Sequence, residues 1–342
     1  MKDALDRATW PFRCFIFIGF FTCCNPWIAI AIDSSGTSGA PFLEIPVGGV
    51  PAALGGAYSA LAADAYAPIW NPGGLGFLDS TQLAAQHLSY IDNVNYEYAS
   101  FVRPLGQGRS LGASIQYLTS GDIPATNDAG QSLGNYSNHF GAYSISYGQT
   151  LGDRLAVGLT GKMINEKLGD ASANAYAADA GGLYRARENM DLALVVANVG
   201  SRLTFLDTSD PLPLNVRIGG AWRLDRQWTL SLEGVYSHDN PPSLHTGMQW
   251  KPFEIMAIRA GYETGYEKEL SLLAGFSTGI GLEVWGQELA YAWLPYGDLG
   301  NTQYFSLLIR FGDHNTHEQN LQKADRKRVP DNLYPDLEVL AQ

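Results

Sequence analysis

From Thr81 onward the chain divides into fourteen runs in which apolar and polar residues alternate with a period of two. Successive side chains of a strand point to opposite faces, so such a run describes a strand whose two faces meet different surroundings. The runs span 81–90, 95–103, 109–118, 138–149, 153–166, 174–185, 190–199, 213–224, 227–238, 243–251, 254–263, 268–277, 281–294 and 302–311. Gly, Pro, Asn and Asp separate them, the residues that turns between strands select. In 153–166, Leu155, Val157, Leu159 and Met163 oppose Ala156, Gly158, Thr160, Lys162 and Glu166. In 227–238, Trp228, Leu230, Leu232 and Tyr236 oppose Thr229, Ser231, Glu233 and Ser237. In 213–224, Val216, Ile218, Trp222 and Leu224 oppose Arg217, Gly219, Ala221 and Arg223. In the last run, Phe305, Leu307, Ile309 and Phe311 oppose Tyr304, Ser306 and Arg310.

One apolar face suits either a soluble sandwich or a membrane barrel. Three features favour the barrel. Most runs are about 9–12 residues long, the length a tilted spanning strand needs, against about 5–6 for an ordinary strand. Aromatics gather near the run ends (Tyr90, Tyr96, Tyr98, Tyr147, Tyr184, Tyr236, Trp250, Tyr262, Trp293, Tyr296), as in interfacial girdles. The even count permits closure, which removes exposed edges. Charged residues make up only 16% of the chain, below the roughly 25% of a soluble domain, while a mean hydropathy of −0.10 excludes a bundle of membrane helices. The reading is an all-β fold: a 14-stranded antiparallel transmembrane β-barrel of outer-membrane type, with a soluble all-β protein as the alternative.

The first 31 residues read as a signal peptide. Lys2, Arg7 and Arg13 precede an apolar run, and Ala29-Ile30-Ala31 forms an A-x-A cleavage pattern. A retained anchor is disfavoured by Asn25-Pro26 within the apolar stretch, and a lipoprotein signal at Cys23 or Cys24 by the lack of a small residue before the cysteine. All three cysteines lie in this leader, so the mature chain has no disulfide or thiolate metal site. Cleavage moves the net charge from −12 to −13, which disfavours nucleic acid as a partner. The longest connection, 119–137, is polar and reads as an extracellular loop. Residues 312–342 are charged, contain Pro330 and Pro335, and read as a polar periplasmic tail.

Between leader and barrel lies a hatch segment, 32–80, whose core reads ALGGAYSALAADAYAPIWNPGGLG. Pro51 suits a first helical turn and Pro68 a helix stop, so a short helix is predicted over 51–66. Gly55 and Gly56 weaken that helix and permit close backbone contact. Asn71-Pro72-Gly73-Gly74 fits a β-turn with Gly73 at a position of positive φ. The segment Gly55-Gly56-Ala57-Tyr58-Ser59-Ala60-Leu61-Ala62-Ala63-Asp64-Ala65, followed by Trp70-Asn71-Pro72-Gly73-Gly74-Leu75, resembles the N-terminal signature of the PorV/PorQ family, within the FadL-like group of outer-membrane barrels. Gly73 departs from it, since the family usually shows Ala there, and the tail after Phe311 does not map onto the family. The resemblance implies fourteen strands, an N-terminal helical hatch in the lumen, and both termini in the periplasm.

A carboxylate near a helix C-terminus needs a partner, so Asp64 is expected to pair with a lumen-facing base: Lys162, Arg217, Arg259 or Arg310. Gly55, Gly56, Tyr58, Asp64, Trp70, Asn71, Pro72 and Gly73 are the candidate hatch or gate residues. Catalytic motifs are weak. Gly275-Phe276-Ser277-Thr278-Gly279 matches G-x-S-x-G but lies between strand patterns rather than at a strand–helix elbow. His87, His139, His238 and His245 carry no compelling spacing, and His314 and His317 suit a tail better than a metal pair. No metal or cofactor is expected, nor an enzyme, although a lipid hydrolase is a third-ranked reading. The resemblance implies a component of type IX protein secretion that contacts outer-membrane lipid, a secretion translocon and secreted cargo. A FadL-like channel for a hydrophobic ligand is the alternative.

Overall fold

The computed structural model describes residues 38–90, 94–264, 273–296 and 300–312. The leader and the tail beyond 312 lie outside them. The strands are β1 (Thr81–Ser89), β2 (Asn95–Gly106), β3 (Arg109–Thr119), β4 (Ile123–Thr126), β5 (Ser132–Tyr136), β6 (His139–Leu151), β7 (Leu155–Leu168), β8 (Ala171–Arg187), β9 (Met190–Gly200), β10 (Leu203–Phe205), β11 (Thr208–Asp210), β12 (Asn215–Arg223), β13 (Trp228–Ser237), β14 (Ser243–Phe253), β15 (Met256–Glu263), β16 (Phe276–Val284), β17 (Gln287–Pro295) and β18 (Asn301–Phe311). Fourteen of them close an antiparallel barrel, β1 pairing with both β2 and β18. The remaining four form two small hairpins, β4–β5 and β10–β11, within long connections. The 119–137 connection is therefore not strand-free as the sequence suggested.

Burial is inverted relative to a soluble protein. The outward face carries Ile145, Leu159 and Ile218, at 72%, 63% and 65% exposure, whereas the inward face buries Gln82, Ser100, Gln116, Thr160 and Lys162. An apolar exterior around a polar interior is the pattern of a barrel set in lipid. This is a transmembrane barrel of the outer-membrane type. Four of the aromatics assigned to a girdle belong inside instead, Tyr90 and Tyr296 packing half-buried against the inner core. Tyr96 and Tyr98 are buried, because the alternation of β2 turns them inward with Ser100.

The β16–β17 hairpin differs from the sequence reading. One run was expected over 281–294, yet the chain turns at Trp285 (φ 53) and Gly286 (φ 73), so β16 ends at Val284. Positive φ at both central residues is the geometry of a type I′ hairpin, where Asn-Gly is usual. A tryptophan hides that signal. The preceding expected run, 268–277, overlaps β16 only at its end, and residues 265–272 lie outside the described set.

The barrel has a short-turn end and a long-loop end. Connections 107–108, 152–154, 188–189, 224–227, 254–255 and 285–286 lie at the first; 90–94, 120–138, 169–170, 201–214, 238–242, 264–275 and 296–300 lie at the second, which holds all the longest ones. Residues 38–80 run through the lumen from the long-loop end to the short-turn end. Near the start, the Gly39 N–H donates to the Pro211 carbonyl (2.9 Å) and the Phe42 ring lies 6.0 Å from that of Phe140. Near the finish, the Arg185 guanidinium sits 3.7 Å over the Phe77 ring, and Thr81 then pairs with Phe311. The expectation that both termini share one side therefore divides. The two barrel ends meet at the short-turn side, while the first described residues pack at the other.

Ile145→Arg, at a mid-wall outward position, should cost about 2–4 kcal/mol of stability in vesicles. Leu151→Arg, at the end of β6 beside a turn, should cost about 0–1 kcal/mol. Urea unfolding in lipid measures both; equal costs would place the bilayer elsewhere.

Candidate functional site

The site is the seam between hatch and wall. Its first element is α1 (Gly49–Ala53), one helical turn entered through Gly48 (φ 95) and carrying Pro51 in its first turn. The predicted helix over 51–66 does not form. Gly55 (φ 63) and Gly56 (φ 80) take left-handed conformations that end the helix at once, and Gly55 packs so close that a Cβ would lie 2.7 Å from the Tyr262 nitrogen. Successive turns follow. Helical geometry resumes only in α2 (Ala67–Trp70), where Pro68 occupies the first turn instead of stopping a helix.

Asn71 caps a 3-10 turn, Pro72–Phe77, by accepting the Gly73 N–H (3.0 Å) on its side chain, and the Gly74 N–H closes on the Asn71 carbonyl (3.0 Å). The Asn-Pro-Gly-Gly turn thus exists, but Gly73 does not adopt positive φ. Its requirement is close approach: a Cβ on Gly73 would meet the Gly181 carbonyl at 2.9 Å, and one on Gly74 would overlap the Ala62 carbonyl at 1.6 Å. The wall answers with glycines of its own. A Cβ on Gly158 would lie 2.1 Å from the Pro72 carbonyl, one on Gly148 2.5 Å from the Leu75 Cβ, and one on Gly181 2.2 Å from the Asn71 Oδ1. β6, β7 and β8 together form a side-chain-free niche for this turn, and Asn71 Nδ2 bridges it by donating to Ser59 O (3.0 Å) and Gly182 O (3.1 Å).

The outer half of the seam is held by inward side chains that meet hatch backbone. The Gly48 N–H donates to Gln86 Oε1 and the Gly49 N–H to Ser306 Oγ (3.0 Å). Ser277 Oγ donates to Ala53 O (3.1 Å), and His245 Nδ1 lies 2.6 Å from Gly55 O. Glu233 accepts both the N–H (2.9 Å) and the hydroxyl of Ser59. Farther along, Ala65 is held on both sides: its N–H reaches Gln82 Oε1 (3.1 Å), and its carbonyl accepts Ser100 Oγ (2.5 Å) and Tyr98 Oη (3.2 Å). Thr160 Oγ1 donates to Pro68 O (3.1 Å). Ser277, the serine of the G-x-S-x-G match, is thus an anchor on a strand. Among the described residues no group of three His, Cys, Asp or Glu side chains could hold a metal ion.

Among the described residues Asp64 forms no ion pair with a base. Its carboxylate accepts Tyr58 Oη (2.5 Å) and the Tyr66 N–H (2.9 Å). Burial pushes the Asp64 carboxyl up, against these two hydrogen bonds and the through-space pull of Arg310. The turns after Gly56 fold Tyr58 back onto Asp64, so a neutral hydroxyl fills the place expected for a cation. The four bases are engaged elsewhere. Lys162 meets Asp179 (2.7 Å), Arg259 meets Glu288 (2.5 Å), and Arg310 lies between Glu283 and Glu288 at 3.8 and 3.9 Å. Arg217 does touch the hatch, but through the ring of Trp70, 4.8 Å from its centroid. Trp70 also packs edge-on against Tyr58 and donates to Val47 O (2.8 Å).

Sequence reasoning named the hatch side of this seam and missed the wall side. Glu233, Gln82, Gln86 and Ser306 were legible only as polar residues on inward positions, and Ser277 and His245 only as weak catalytic candidates. The niche glycines carried no mark distinguishing them from turn glycines. Gly158→Val should prevent the turn from seating. The expected result is a barrel that folds but conducts ions in planar bilayers, where wild type stays closed; a silent variant would show that the niche does not hold the plug. Ser59→Ala removes one donor to the buried Glu233 and should cost about 1–3 kcal/mol in denaturant unfolding.

The sequence profile described as "Type IX secretion system protein PorV" matches residues 31–227. No curated protein matches the chain. Among solved structures, the Pseudomonas putida toluene transporter TodX is similar at a TM-score of 0.53 and 12% identity, covering 76% of this chain and 96% of that one. The CymD monoaromatic hydrocarbon channel is similar at 0.54 and 13%, covering 79% and 99%. A Pseudomonas aeruginosa FadL homologue is similar at 0.51 and 11%, covering 76% and 97%. At these identities the likeness is one of fold: a barrel of the FadL-like kind. With the profile covering more than half of the sequence, the chain belongs to the PorV family of outer-membrane barrels.

Proposed function

We propose that this barrel serves type IX protein secretion as a docking component, with the long-loop mouth at the cell surface binding translocon and secreted cargo. The observation that carries this reading is the closed seam. The hatch is fastened to the wall at backbone level along its length, and the void beside Gly55, Gly56 and Glu263 measures about 10 Å³, room for at most one water. A lumen filled in this way favours a binding role over passage. Short turns on the periplasmic side and longer loops outside match the usual orientation of such barrels. Thr81 and Phe311 then face the periplasm, and so does the polar tail 312–342, which would be available to a periplasmic partner. Residues 1–31 serve as the cleaved leader.

A second reading, passage of a hydrophobic ligand, is favoured by one feature. An apolar concavity of about 910 Å³ lies on the outer wall over Ala99, Ala113 and Gly161, rimmed by Phe101, Tyr143 and Tyr176. A laterally released ligand would leave over such a surface. Pull-down of the detergent-solubilised protein from its native membrane separates the two. Recovery with a large translocon or secreted cargo is expected. A monomer carrying only a bound fatty acid or arene would overturn the docking role.

A further inference from the structure

The hatch enters the barrel past a buried carboxylate that has no hydrogen-bond partner among the described residues. Asp239 lies in the β13–β14 connection, 238–242, at the long-loop end. It is 3% exposed, and among the described residues neither of its carboxylate oxygens is hydrogen-bonded. Its neighbours in sequence grip the first acid of the hatch's described part: Ser237 Oγ donates to Glu44 Oε1 (2.7 Å) and Asn240 Nδ2 to Glu44 Oε2 (3.1 Å). Asp239 sits between those two residues in the chain, in the same connection that grips Glu44. Burial pushes the Glu44 carboxyl up and the charge of Asp239 adds to it, against the Ser237 and Asn240 hydrogen bonds and the pull of Arg217. Glu263, across the mouth on β15, is close enough to feel Glu44 as well. No basic side chain among the described residues forms an ion pair with Glu44 or Asp239. Arg217 is turned to Asn215 (3.0 Å) and to the Trp70 ring.

A buried, unpaired carboxylate costs several kcal/mol unless a charge or donors meet it. Hard oxygen groups in excess of protein cations are the surroundings that calcium fills, since it accepts carboxylates, amide and hydroxyl oxygens and water in flexible geometry. Each oxygen of Glu44 keeps a lone pair beyond the one its hydrogen bond uses. Three acidic or histidine ligands do not converge here, which argues against zinc and leaves a two-carboxylate set completed by neutral oxygens and water. We propose that Asp239 and Glu44, with oxygens of Ser237 and Asn240, bind a divalent cation of calcium type that clamps the start of the hatch to the β13–β14 loop. The inference is independent of whether the barrel docks proteins or passes small molecules.

The test uses the purified mature protein in detergent, stripped with EDTA and then titrated with calcium chloride. Calcium is expected to raise the melting temperature saturably, and Asp239→Asn and Glu44→Gln each to weaken its apparent affinity at least tenfold. Gel mobility before and after heating verifies that each variant still forms a barrel. A second readout separates a clamp from mere packing. In EDTA, Asp239→Asn should melt above wild type, because it replaces a buried carboxyl that no protein donor meets among the described residues; in saturating calcium the order should reverse. Wild type that gains nothing from millimolar calcium, or an Asp239→Asn variant that gains as much as wild type, overturns the site.

Discussion

The hatch threads a space walled off from lipid and largely from water, so each of its exposed backbone groups must find a partner in the barrel wall. An unpaired buried amide or carbonyl costs about 1–3 kcal/mol, and the hatch is too short and too broken by Gly55 and Gly56 to satisfy itself as a helix. This one requirement explains the composition of the inner wall. Gln86, Ser306, Ser277, His245, Glu233, Gln82, Ser100 and Thr160 all point inward and all meet hatch backbone. On strands whose other face is Ile, Leu and Val against lipid, these are the polar halves of the alternation.

Much of the barrel was legible because lipid and lumen impose opposite demands on neighbouring residues. The fourteen strands, their antiparallel order and the start at Thr81 follow from that contrast. It failed where a turn used an unexpected residue: Trp285 at positive φ reads as another strand position, so the β16–β17 boundary was lost. It failed also for Tyr96 and Tyr98, because an aromatic near a strand end serves an interface or a lumen equally well. Tyr98 stacks on Tyr66 of the hatch, at 5.8 Å between ring centroids, a contact no local pattern encodes.

The hatch was legible in location and not in conformation. Helix propensity of an Ala- and Leu-rich segment is a weak prior that tertiary context overrides. Here the wall offers backbone partners to residues 55–66, and two glycines let the chain abandon the helix to reach them. The Asp64 expectation failed for the same reason. It assumed a helix C-terminus, with the adverse dipole that implies, but the residue lies in a turn and closes on Tyr58 six positions earlier.

The seam combines two kinds of contact. One is the side-chain hydrogen bond, worth a net of about 0.5–1.5 kcal/mol once water can replace the partner. The other is steric fit: the Asn71–Gly74 turn lies on Gly148, Gly158 and Gly181, and Leu54 and Gly55 lie on Gly247 and Gly261, where no side chain can stand. Water entering from the mouth can substitute for the first kind of contact, one bond at a time. Nothing substitutes for the second, because withdrawing the turn leaves a void lined by backbone. The same segment is continuous with β1, whose Thr81 is paired in the barrel, so its inner end is tethered covalently as well. A plug built this way is fastened from mouth to base: Ala40, Phe42 and Leu43 are already buried at its entrance, and its base is part of the barrel.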